Sequence, residues 1–176
     1  MKEIVQDGAS ILREVAELVP ESMFGTPELK ALIATMTDAL DQELEGVALA
    51  APQIGVPYRV FIVRKDRTLP PEPEGTVATI PPVPVIEVYV NPEIVKTSKK
   101  RALADEGCLS VRGVYGTTSR HERATVRART IDGSKFERGR GGLMAQIFEH
   151  EIDHLNGILF IDHAEHLVHL HHEPVA

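Results

Sequence analysis

Residues 146–157 read QIFEHEIDHLNG and place His150 and His154 four positions apart, with Glu151 directly after the first histidine. Four residues are slightly more than one helical turn, so two imidazoles at this spacing project from one face and can reach one metal ion. A glutamate next to the first of them can serve as a base beside such an ion. The spacing predicts a helix over about 143–155, stopped by Asn156-Gly157. On a wheel of about 100° per residue, Leu143, Met144, Ile147, Ile152 and Leu155 form an apolar arc. His154 and Glu151 fall inside that arc and His150 lies at its edge, whereas Gln146, Glu149 and Asp153 fall on the opposite side. Surface histidines would share the polar side, so the inward placement favours a metal site.

Two histidines do not complete a catalytic set, which takes a third protein ligand and keeps one position open. The longer pattern HExxHxxGxxH aligns Gly157 but finds Phe160 where its third histidine belongs. A downstream glutamate on another helix is the other protease solution, and Glu165 and Glu173 stand too near the chain end to provide one. Cys108, the single cysteine, and the tail histidines His163, His166, His169, His171 and His172 remain as candidates. A histidine-rich tail is expected to be solvated. A lone cysteine can be a small core residue as readily as a ligand, and it excludes an intrachain disulfide.

Around this segment the chain alternates in other ways. TPELKALIATMTDALDQELEG (26–46) predicts a long helix, with Thr26 as cap, Pro27 in the first turn and Gly46 as stop. Leu29, Leu32, Ile33, Met36, Leu40 and Leu44 would form its apolar face. YRVFIVRK (58–65) reads as a strand, and VIEVYVNPEIVKTS (85–98) as a strand ending near Asn91-Pro92. ATVRARTIDGSKFERGR (124–140) reads as a hairpin turning at Asp132-Gly133. The prolines from Pro70 to Pro84 make 69–85 an extended loop. Without βαβ alternation, these elements predict an α+β fold: antiparallel strands packed around a central HExxH helix, with a long helix near the N-terminus.

A chain of 176 residues suits one domain, taken as 1–176, that buries a core without disulfides. Its net charge of −7 and its scattered basic residues, SKKR (98–101) apart, argue against a nucleic-acid surface and favour a peptide or small-molecule substrate. No apolar run approaches the roughly 18 residues of a membrane span. MKEIVQDGAS (1–10) lacks the pattern of a secretion signal, so a cytoplasmic location without membrane contact is expected.

GVALAAPQIG (46–55), EGCLS (106–110) and HEIDHLNG (150–157) together resemble the peptide deformylase family, in that family's order. The resemblance implies that Cys108, His150 and His154 bind one divalent metal ion, Fe²⁺ first, with Zn²⁺, Ni²⁺ or Co²⁺ as alternatives. It implies that Glu151 is the acid and base, and that the Gln53 side-chain amide and the Leu109 backbone N–H stabilise an oxyanion. Gly46, Val47 and Ala48 would run along the bound peptide, and Leu143 and Ile147 would line its methionine pocket. Glu106 would pair with Arg120 and brace the Cys108 loop. The implied reaction removes the formyl group of N-formylmethionyl peptides, on nascent chains near the ribosome, and releases formate. A rival enzyme would act on another N-formylated small molecule; a non-enzymatic rival would be a metal-bound interaction module using the proline-rich loop. Two imidazoles and a thiolate suit a borderline-soft divalent ion and leave one position open, which accords with the enzyme.

Four features depart from the family's usual pattern. Ala48 replaces a glycine, and its methyl is expected to crowd the substrate backbone. Glu149 replaces a glutamine before the first metal histidine and, from the wheel, should alter outward contacts only. Arg112 stands where proline is common, and the 69–85 loop is longer than usual.

Overall fold

The computed structural model describes residues 2–68 and 84–170, so the proline-rich stretch lies almost wholly outside the described residues. The Thr26 side-chain oxygen accepts a hydrogen bond from the Leu29 N–H, and Pro27 opens α1 (Pro27–Asp41). The helix buries Leu29, Ile33, Met36, Ala39 and Leu40. It ends at Asp41, well before Gly46. The chain then turns through hydrogen bonds from the Glu43 N–H to the Leu40 carbonyl and from the Gly46 N–H to the Glu43 carbonyl. Leu44, expected on the apolar face, is therefore beyond the helical periodicity and 87% exposed.

Two antiparallel sheets follow. The larger contains β1 (Ala48–Ala50), β2 (Val60–Arg64), β3 (Ile86–Thr97), β6 (Arg123–Arg129) and β7 (Lys135–Gly141), in the order β1-β2-β3-β6-β7. The smaller contains β4 (Arg101–Cys108), β5 (Val111–His121) and β8 (Glu165–His169), in the order β4-β5-β8. The β6–β7 hairpin pairs Arg129 with Lys135 around Asp132-Gly133, as its sequence predicts. Two strands differ from expectation. β3 continues past Asn91-Pro92 because a register shift between Val90 and Glu93 carries the proline, with Asn91 at φ +50°. The Asn91 side chain meanwhile binds both the N–H and the carbonyl of Val19, at 2.8 and 3.0 Å, pinning the N-terminal arm to the sheet. Of the tail, expected to be solvated, Glu165–His169 pair through their backbone with β5 as β8 while their side chains stay exposed, and His171 and His172 lie outside the described residues.

The second helix, α2 (Leu143–Leu155), touches strands of both sheets. Its apolar side enters a core with Phe61, Tyr89 and Val126. Phe61 stacks on Tyr89 at 4.5 Å between centroids, and Phe148 meets Tyr89 edge-on at 5.4 Å. The wheel's polar side is covered as well: Glu149 is only 7% exposed, and Gln146 and Asp153 are half-buried. Leu143, placed in the apolar arc, is instead 45% exposed, because the helix begins there at the cavity edge. A wheel registers one buried stripe; it cannot register a second sheet closing over the other side. No helix among the described residues is long and apolar enough to cross a membrane.

Phe148→Ala removes a ring from the centre of this cluster and should cost about 3–5 kcal/mol in urea denaturation, whereas Leu44→Ala should change stability by less than about 0.5 kcal/mol. Equal losses would contradict the placement of the helix ends.

Candidate active site

Strand β4 ends at Cys108, where a register shift after Gly107 leads into the Leu109-Ser110 turn and back along β5. A side chain at Gly107 would come within 2.8 Å of the Tyr115 ring, so the glycine of EGCLS is what lets that ring cross the strand. The turn sets the Cys108 Sγ 3.3 Å from His154 Nε2 on α2. One donor atom each of Cys108, His150 and His154 lies within 4.8 Å of the others. The two imidazoles, one helical turn apart, meet nearly perpendicular at 4.9 Å. This set of one sulfur and two nitrogens can hold a divalent ion and leave a position open.

The surrounding groups aim these donors. His150 Nδ1 faces Glu106 Oε2 at 3.0 Å, which leaves Nε2 for an ion. Glu106 is held in turn by Arg120, through Nε to Oε1 at 2.7 Å and Nη2 to Oε2 at 3.0 Å, and by the Thr118 hydroxyl at 2.8 Å. Arg120 Nη1 also donates to Asp153 Oδ2 at 2.7 Å. Burial pushes the Glu106 carboxyl up, but hydrogen bonds from His150 and Arg120 outweigh it and hold the group well below the usual carboxylate range. For His150, burial disfavours the charged ring, yet its hydrogen bonds with Cys108 and Glu106 raise it well above the ordinary value. Burial and the neighbouring His150 charge hold His154 well below it.

Glu151 is pushed up to about 7 by burial, against the opposing pull of His150. Its Oε2 is buried without a hydrogen-bond partner among the described residues, as is His154 Nδ1. Buried polar atoms are nearly always paired, so a free carboxylate oxygen here marks room for a ligand proton.

Gln53 sits in a 3₁₀ turn (Ala51–Ile54) and is 2% exposed. Its Oε1 accepts from the Ala50 N–H at 2.8 Å, which orients the amide. Its Nε2 then lies 3.2 Å from Ser110 Oγ and 3.6 Å from Cys108 Sγ. The Leu109 N–H has no protein acceptor among the described residues.

Cys108, His150 and Glu151 line a cavity of 730 Å³ together with Gly46, Val47, Leu143 and Ile147. Gly46 fits because a side chain there would meet Leu40 at 2.9 Å and Leu109 at 3.1 Å. Ala48 is not among the residues lining the cavity; its methyl is buried in the core formed with Ile147 and Phe148. Glu149 also departs from expectation. Rather than facing outward, its Oε1 accepts from the His121 N–H at 2.8 Å and its Oε2 lies 3.9 Å from Arg120. Arg112 forms an ion pair with Glu43, joining β5 to the segment before β1.

A sequence profile of the polypeptide deformylases matches residues 1–169. The chain belongs to the polypeptide deformylase family. Peptide deformylase 2 of Bacillus anthracis is 37% identical over 175 residues, 93% of this chain and 89% of that protein. The peptide deformylase of Desulforudis audaxviator is 40% identical over 162 residues, 92% of each. The class I type b peptide deformylase of Acinetobacter baumannii with Met-Ala-Ser bound has a TM-score of 0.79 at 34% identity, covering 92% of this chain and 97% of that one. The same enzyme with actinonin bound gives 0.78 at 34% identity, over 93% and 98%. Deformylation by a metal-dependent hydrolase is accordingly the activity of this chain.

Three residues of this deformylase site escape a reading of the sequence. Ser110 is buried between Gln53 and Cys108, and its own N–H points to Cys108 Sγ at 3.4 Å. Its place inside EGCLS was the available signal. Asp153 and Thr118 become site residues only through Arg120 and Glu106 and carry no local mark.

Arg120→Ala would take the guanidinium away from the Glu106 and Asp153 carboxylates, and should lower stability by about 3–5 kcal/mol in urea denaturation. A loss below about 1 kcal/mol would show that Thr118 and His150 suffice to hold the Glu106 charge.

Proposed function

We propose that the chain acts as a single catalytic domain, built around α2, which removes the formyl group from N-formylmethionyl peptides of nascent proteins in the cytoplasm. The observation that supports this most is the approach of Cys108 Sγ to His154 Nε2 at 3.3 Å, with His150 alongside and Glu151 lining the same cavity, its Oε2 without a partner among the described residues. Cys108, His150 and His154 would hold one Fe²⁺, and the same donors accept Zn²⁺, Ni²⁺ or Co²⁺. The choice of Fe²⁺ rests on the family resemblance. When bound, the ion supplies a Lewis acid that activates water and polarises the formyl carbonyl.

The remaining steps belong to the chain's own side chains. Glu151, pushed up to about 7, takes the proton of the attacking water on its free oxygen and passes it to the departing amine nitrogen. The Gln53 amide, fixed through its Oε1 by Ala50, donates from Nε2 to the developing oxyanion together with the Leu109 N–H. Because the Gln53 amide is oriented before the substrate arrives, little reorganisation is needed as charge develops. Gly46 and Val47, which line the cavity, run along the peptide and lead into Ala48 at the start of the edge strand β1, and Leu143 and Ile147 give the methionine side chain an apolar wall. Glu106, gripped by Arg120, keeps His150 aimed. Formate and a peptide with a free amino terminus leave the site.

Anaerobically purified protein loaded with Fe²⁺, and separately with Zn²⁺, should release formate from formyl-Met-Ala-Ser far faster than from formamides lacking methionine. Glu151→Gln should retain the ion, measured by elemental analysis, while kcat falls about 10²–10⁴-fold. His154→Ala should lose the ion itself. Equal turnover of non-peptide formamides, or a Glu151→Gln enzyme of undiminished kcat, would refute the reading.

A further inference from the structure

The cavity wall formed by residues 42–47 lies between α1 and β1 and has no helix or strand of its own. Two turn-closing backbone hydrogen bonds, onto the Leu40 and Glu43 carbonyls, and one from the Arg64 N–H of β2 to the Val47 carbonyl hold it. Such a segment is free to open unless something outside it adds to these few bonds. Arg67 is placed to do so. It follows β2 in a 3₁₀ turn (Lys65–Thr68), and its side chain is 19% exposed. Its Nη1 stands 2.6 Å from the Gly46 carbonyl, 2.7 Å from that of Glu43 and 3.3 Å from that of Leu40. Its Nη2 lies 3.7 Å from Asp41.

Leu40 belongs to the last turn of α1, whose carbonyls have no intrahelical partner and whose dipole favours a cation. One guanidinium therefore closes the helix end and grips the segment at two further points. Arg67 does not line the cavity, so it holds this wall from behind. The neighbouring Arg64 binds the Asp41 and Asp66 carboxylates and makes no side-chain bond to these carbonyls. Across the cavity mouth, the Arg112–Glu43 pair is exposed on its arginine side and ties only a side chain.

We propose that Arg67 is the positioning residue of the substrate-binding wall: by bonding the Glu43 and Gly46 carbonyls it keeps residues 42–47 in the form that accepts an extended formyl-peptide backbone. This rests on the deformylase reading above. Arg67 touches neither the reacting atoms nor the proposed ligands, so its loss is felt in substrate binding and not in the chemical step. Without it the wall must be ordered by the substrate itself, and the cost of that ordering appears as weaker apparent affinity.

The test uses the metal-loaded full chain with formyl-Met-Ala-Ser. Arg67→Ala should raise KM about tenfold while kcat stays within about threefold, and Arg67→Lys, which keeps the charge but not the planar fork, should fall between. Hydrogen exchange at the amides of residues 42–47 should quicken in Arg67→Ala and remain unchanged in α2. A KM within twofold of the unmodified chain, a fall in kcat at constant KM, or unaltered exchange in this segment would each overturn the proposal. Should Arg67→Ala not fold, Arg67→Lys is judged by the same KM and exchange criteria. A lack of formate release by the unmodified chain would instead count against the deformylase reading, and the exchange measurement would still decide whether Arg67 holds the wall.

Discussion

One guanidinium joins the parts from which the site is assembled. Arg120, on β5, reaches Glu106 on β4 through two nitrogens and Asp153 on α2 through the third. Buried charges are tolerated only when paired and hydrogen-bonded, so this contact constrains how the smaller sheet can sit against the helix. Glu106 spends its second oxygen on both Arg120 and His150, and the imidazole is thereby aimed by the same interaction that docks the helix. Packing and chemistry meet in one ion pair.

The larger sheet does a different job. Phe61, Tyr89 and Phe148 lock the apolar side of α2 and fix where its opposite side must lie. With the helix held from both sides, the short β4–β5 turn can deliver Cys108 to His154 while the 3₁₀ turn after β1 delivers Gln53 to Cys108. Neither turn would be precise on a mobile loop; each is anchored at both ends by strands or by buried hydrogen bonds.

Much of this was legible because it is local. The bounds of α2 follow from its own 3–4 periodicity and its Asn156-Gly157 stop, and the β6–β7 hairpin follows from alternation around Asp132-Gly133. Misreadings arose where the path of the chain, or a partner distant in sequence, overruled a local rule. Leu44 kept helical spacing but lies beyond the end of α1. Asn91-Pro92 looked like a strand end, yet a bulge and two hydrogen bonds to Val19 keep β3 going. Glu149 and Asp153 looked like solvated charges, and β5 covers them with a backbone N–H and a guanidinium.

The sequence by itself determined the His150–Glu151–His154 constellation, since positions 150, 154 and 151 fall within an arc of about 100° on any α-helix, whatever surrounds it. It also carried the three motifs whose joint presence pointed to the family. Only the tertiary structure set Cys108 Sγ against His154 across 46 residues, gave Glu106 its contacts with His150 and Thr118 and placed Arg67 behind the cavity wall. Those contacts depend on strand register and on how two sheets close over one helix. That information is spread over the chain and resides in no single stretch of it.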